Sequence, residues 1–161
     1  MAEIRRRRSV RVGVGFGLPL LAALALAALL LRLFPADAMG RWGLSPAVVA
    51  GVCWAGQLWY VGYGLDPEGL TGGFWRQLFG LANAVTLVRG ALYAVVAGFV
   101  VAPPETALAW VPALCYGTGV ALDNLDGSVA RTVGRETEIG RRLDMAFDTF
   151  GFVAAPLVAV L

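Results

Sequence analysis

The sequence predicts an all-α integral membrane protein, a helical bundle of about five transmembrane helices plus a short amphipathic surface helix. Three observations carry that prediction. The 161-residue chain is 58% hydrophobic with a mean hydropathy of +0.71, whereas a soluble domain is about 45–50% apolar. Several uncharged runs approach the roughly 20 residues that cross a hydrocarbon core. Aromatic residues and arginines gather at the ends of those runs, at the depth of the headgroups.

The first span is residues 12–31, "VGVGFGLPLLAALALAALLL", after the basic cluster Arg5, Arg6, Arg7, Arg8 and Arg11. A cleaved signal peptide competes with this reading, with Ala36-Asp37-Ala38 as a small-residue cleavage site. The apolar stretch of a signal is about 7–15 residues, so this longer run favours a retained helix. The second span runs from Trp42 to Leu65. Ser45-Pro46 suits an N-cap and first turn, and Trp42 faces Trp59, Tyr60 and Tyr63 across the bilayer. Asp66-Pro67 and Gly72-Gly73 then break the chain. Residues 74–83, "FWRQLFGLAN", put Phe74, Trp75, Leu78, Phe79 and Ala82 on one face, as a helix lying on the membrane surface does. A third span follows at 84–102 and stops at Pro103-Pro104. Arg89 lies one or two turns inside it, either snorkelling to the interface or holding something anionic. The fourth span runs from Thr106 to about Arg131, and the fifth from Gly140 to Leu161.

All 13 basic residues are arginine. With a cytosolic N-terminus, the inner segments hold Arg5, Arg6, Arg7, Arg8, Arg11, Arg76, Arg131, Arg135, Arg141 and Arg142, and the outer ones only Arg32 and Arg41. The positive-inside rule therefore sets the N-terminus in the cytosol. It sets the aspartates of the last two spans at the cytosolic face as well. Cys53 and Cys115 lack any metal or redox spacing and read as small buried hydrophobes. No nucleic-acid partner is expected.

The aspartates are the chemical signal. Asp123 and Asp126 lie three apart, Asp144 and Asp148 four apart, so each pair shares a helix face. The short connection between spans four and five predicts antiparallel neighbours whose four carboxylates converge. Unpaired, they would repel one another and suffer desolvation. Divalent cations remove both penalties. The chain has no histidine, so a metal site must use oxygen ligands, which suits Mg²⁺ or Mn²⁺. Two such ions about 4 Å apart suit phosphoryl chemistry. Gly127, Ala130 and Gly140 continue the same faces and leave room for a flat ligand or a close helix. Arg131 can pair with a phosphate. Glu136 and Glu138 read as solvated headgroup-level charges, and Arg135, Arg141 and Arg142 as topological ones. Asp123-x2-Asp126-Gly127-x2-Ala130-Arg131-x8-Gly140-x3-Asp144-x3-Asp148 specifies eight positions. At roughly 5–8% per residue type, a chance match is below about one in a million.

This pattern resembles the signature of the CDP-alcohol phosphotransferases, also called CDP-alcohol phosphatidyltransferases. "NAVTLVRG", with Asn83, Thr86 and Arg89, resembles the start of that family's first core helix. The resemblance covers residues 74–161 and implies a partial family core: the surface helix and three core helices of a family total of six. Residues 1–73 would be an N-terminal extension with two transmembrane helices. The shortfall in core helices reads as a fragment of a longer chain. The resemblance implies a CDP-alcohol donor, often a CDP-lipid, an acceptor alcohol, release of CMP, and a homodimer in the lipid bilayer. It implies a two-metal centre on Asp123, Asp126, Asp144 and Asp148, with Asp148 also the base. Gly127, Ala130, Arg131 and Gly140 would line the nucleotide pocket, and Asn83 and Thr86 would touch the donor. Two rival readings stand beside it. A cation pathway would need carboxylates spread through the bilayer, and residues 106–122 and 149–161 have none. A non-catalytic or half-enzyme subunit would need a partner chain.

Overall fold

The computed structural model describes residues 39–61, 81–103, 107–133 and 138–161, and the isolated positions 25, 28 and 32. Within these, side chains are described for all but 81, 82, 84, 125–133, 138 and 139. The described residues are helical, with no strand among them. The α-helices are α1 (Pro46–Trp59), α2 (Leu81–Gly98), α3 (Val111–Val133) and α4 (Glu138–Val160), with short 3-10 turns at Arg41–Gly43 and Phe99–Val101.

Each helix has a local cause. Pro46 opens α1 where a missing N–H costs nothing, and Ser45 sits at the N-cap with extended backbone. Its hydroxyl makes no capping bond and is buried without a partner, so proline rather than serine sets this start. α2 begins at Leu81, earlier than the expected third span. Nothing in Leu81-Ala82-Asn83 breaks a helix, so the end of the expected surface helix is continuous with the span. Residues 74–80 and, apart from the isolated positions 25 and 28, the first span at 12–31 lie outside the described residues. α3 starts at Val111, later than Thr106, because residues 107–110 form turns closed by Val111 N–H to the Leu108 carbonyl at 2.9 Å. α4 carries Gly140–Val160, 21 residues with an 18-residue window of mean hydropathy 1.6, long and apolar enough to cross a membrane. Val85–Val101 is apolar but shorter.

α2 is the centre of the bundle. Ala91, Tyr93, Ala94, Val95, Val96 and Ala97 are all buried, and the helix packs on α1, α3 and α4. A helix whose apolar residues reach round most of its surface belongs inside a bundle. α3 and α4 touch each other much less than either touches α2. They do meet, as the sequence-based expectation had it, but the Tyr93 ring of α2 lies between them at the level of Gly119 and Gly151. α1 runs antiparallel to α2: Gly98 faces Pro46 and Ala50, while Gly90 faces Gln57. One apolar cluster joins Ala50, Val95, Val96, Phe99, Val111, Cys115 and Ala154, and a second joins Val61, Leu87, Leu143 and Phe147. Cys53 and Cys115 are free thiols. Outward faces stay apolar, with Leu114 on α3 and Phe152, Val153 and Leu157 on α4 exposed, as lipid contact allows.

Phe147 is 1% exposed and ties α4 to the second cluster. Phe147→Ala is expected to cost about 3–5 kcal/mol of stability, measured by equilibrium unfolding in mixed micelles.

Candidate active site

Arg89 lies mid-helix in α2 and is 1% exposed. Its Nη1 donates to Asp123 Oδ1 on α3, and its Nη2 to Asp144 Oδ1 on α4. Asp148 Oδ1 lies 3.1 Å from the same Nη2. The guanidinium thus bridges two helices that barely meet on their own. A carboxylate oxygen from each of Asp123, Asp144 and Asp148 lies within 4.8 Å of the other two. The aspartate side chains are 46%, 41% and 31% exposed. The cluster therefore has a sealed side, where Arg89 enters, and an open side, where ligands can arrive.

The helix spacing produces this arrangement. Asp144 and Asp148 are four apart on α4 and share a face. Asp123 meets them from α3, and one turn earlier on α3 Gly119 meets the ring of Tyr93. Gly151, three residues past Asp148, meets the same ring. Moving forward on α3 is moving backward on α4, so the two helices are antiparallel, as expected from the sequence. Tyr93 is one turn beyond Arg89 on α2 and forms the floor beneath the cluster. It also stacks obliquely on Tyr116, with ring centroids 5.6 Å apart and planes 35° apart.

The donor set fits a hard divalent cation. It consists of carboxylate oxygens from two helices, close enough to share an ion and open to solvent on one side. Of the site residues expected from sequence, the structure brings Asp123, Asp144 and Asp148 together. Gly140 lies one turn before Asp144 on α4 and is half-buried. Asn83 and Thr86 are buried on α2, at spacings of six and three before Arg89. Asp126, Gly127, Ala130 and Arg131 lie on the helical backbone of α3, and their side chains are outside the described residues. Arg89 was not among the expected site residues. A charge inside an apolar helix needs a counter-charge, and aspartates at matching depth on two other helices were the signal.

A family model, CDP-alcohol phosphatidyltransferase, matches residues 79–161, just over half of the chain. The chain belongs to the CDP-alcohol phosphatidyltransferase family. Comparison with curated proteins and with solved structures gives no match. CDP-alcohol phosphatidyltransferases are membrane-associated transferases of phospholipid synthesis. The matched stretch contains α2, α3 and α4, hence the whole carboxylate cluster and Arg89. α1 lies outside it.

The grip on Tyr93 is testable. A Cβ on Gly151 would fall 2.6 Å from the Tyr93 ring, and one on Gly119 2.5 Å. The ring is wedged from both sides and has nowhere to go. Gly151→Ala is expected to destabilise the protein by about 1–3 kcal/mol, read as a lower unfolding midpoint. Tyr93→Leu in the Gly151→Ala background should recover part of that loss.

Proposed function

We propose that this chain transfers a substituted phosphate group from a CDP-alcohol, with a CDP-lipid as donor, to the hydroxyl of an acceptor alcohol, releasing CMP. The observation that carries this reading is the convergence of Asp123, Asp144 and Asp148 inside the family-matched region. With Asp126 they would hold Mg²⁺ or Mn²⁺, two ions by the four-carboxylate count. Bound there, the metal supplies Lewis-acid neutralisation of the pyrophosphate and of the charge that builds on CMP.

The chain's own groups supply the rest. Asp148 takes the proton of the acceptor hydroxyl. It lies 3.1 Å from Arg89 Nη2, inside the cluster that would hold the metal. The acceptor oxygen attacks the β-phosphorus. A new P–O bond forms, the bond to the bridging oxygen breaks, and CMP leaves with that oxygen and its electron pair. The proton passes from Asp148 to solvent. Gly127, Ala130, Arg131 and Gly140 line the nucleotide pocket, and Arg131 pairs with a phosphate. Asn83 and Thr86 lie toward the donor.

The placement in the membrane follows the same logic. Five spans, a surface helix over 74–80 and a cytosolic N-terminus put the carboxylates at headgroup depth on the cytosolic side. A lipid tail then stays in hydrocarbon while its head reacts, and the soluble nucleotide leaves to the cytosol. Residues 1–73 add two spans to the family core.

Two outcomes test the reading. Asp148→Asn should cut CMP release by about 10²–10⁴-fold, while binding of the CDP-lipid survives in part; turnover near the wild-type rate removes Asp148 as the base. Chelation of divalent ions should stop CMP release, and added Mg²⁺ or Mn²⁺ should restore it. Turnover that persists in chelator rejects the metal-dependent mechanism.

A further inference from the structure

We infer that Arg89 is the resident counter-cation of the carboxylate cluster, a positioning residue that competes with divalent ions for Asp123, Asp144 and Asp148. The inference rests on the phosphotransfer reading above and concerns how the same site takes up its metal.

Three features carry it. First, Arg89 is 1% exposed and reaches all three carboxylates, each through Oδ1. It is a full positive charge that cannot be neutralised, since an arginine does not deprotonate in proteins. Second, the contacts are unequal on the two ends of the fork. One nitrogen serves Asp123 on α3, and the other is divided between Asp144 and Asp148 on α4. The Nε is buried without a hydrogen-bond partner, so the side chain's placement is set by the carboxylates and not by a second anchor at Nε. Third, α3 and α4 have little direct contact. The charge that draws their acidic faces together therefore comes from α2.

A divalent ion that binds these carboxylates draws on the same oxygen electron density as the guanidinium. It also meets the repulsion of a fixed positive charge a few ångströms away. Arg89 thus does two things at once. It keeps the acidic helix faces assembled when divalent ions are scarce, and it weakens the site's hold on those ions when they arrive. Removing it leaves the carboxylates uncompensated, and a metal becomes the cation that holds the faces together.

The test uses the full chain in lipid nanodiscs, with Mn²⁺ as the probe. Free Mn²⁺ is read by electron paramagnetic resonance, and the unfolding temperature is read in chelator and in Mn²⁺. Arg89→Gln is expected to unfold well below wild type in chelator. Mn²⁺ should raise its unfolding temperature by more than it raises that of wild type. Its Mn²⁺ dissociation constant should be tighter by about tenfold. Arg89→Lys keeps a charge but loses the fork that spans two helices; it should bind Mn²⁺ a few-fold tighter than wild type, and it carries the test if Arg89→Gln does not fold. Equal stabilisation of wild type and variant by Mn²⁺, or weaker Mn²⁺ binding by either variant, overturns the competition. A wild-type chain that binds no Mn²⁺ at all rejects the metal reading itself, which is a separate failure.

Discussion

A buried guanidinium among three carboxylates is the interaction on which this bundle depends. An arginine in the middle of an apolar helix is costly alone, because its charge leaves water for a medium that cannot solvate it. Three aspartates at the same depth are costly alone for the same reason, with mutual repulsion added. Placed together, each removes the other's penalty. At about 4 Å and an effective dielectric near 20, a unit pair is attracted by roughly 4 kcal/mol, before desolvation is subtracted. The aspartates keep a third to a half of their surface open, so part of their hydration survives. Stripping away the arginine's partners is the severe case, since it strands a charge that is 1% exposed.

That interaction explains the layout of the helices. α2 is buried over most of its surface and small-to-medium in its side chains, with Ala91, Ala94, Val95, Val96 and Ala97 through its centre and, among its described side chains, only the face of Val85, Val88 and Leu92 half-buried. Such a rod lets three helices close around it. Glycines on α3 and α4 then admit the Tyr93 ring at the level just beyond Arg89. The ring and the guanidinium, one turn apart on α2, set the gap between α3 and α4. Two helices packed directly on each other at that level would close the open side of the carboxylate cluster.

Much of this was legible in the sequence, and the reasons for the rest are physical. The apolar runs gave the helices, since hydrocarbon forces backbone groups to pair within one segment. The aspartate spacings gave the shared faces, since 3.6 residues per turn leaves little choice. The central position of α2 was harder to see. Periodicity reports which face is apolar, and a helix that is apolar round most of its surface has no clear face to report. The role of Arg89 was half visible, as a charge that either snorkels or holds an anion. Only the packing decides between those, because a snorkelling arginine must reach an interface and this one is enclosed. Ser45 shows the opposite limit. Its residue type suits a cap, yet the hydroxyl finds no partner, because the proline that follows already starts the helix.

α1 extends the same reasoning beyond the family-matched stretch. It lies before residue 79, yet it packs along α2, closely enough that a Cβ on Gly98 would fall 2.7 Å from the Pro46 carbonyl oxygen. At the other end, Gln57 approaches Gly90, the neighbour of Arg89, and a Cβ there would fall 2.6 Å from the Gln57 Oε1. That amide is buried and makes no hydrogen bond. An unpaired buried amide is expensive, so its place is held by the packing around it and not by its own polarity. The helix that carries Arg89 is thus braced on its far side by a segment the family pattern does not include. The guanidinium stays enclosed because α3 and α4 meet it on one side and α1 covers the side of α2 that carries Gly90 and Gly98.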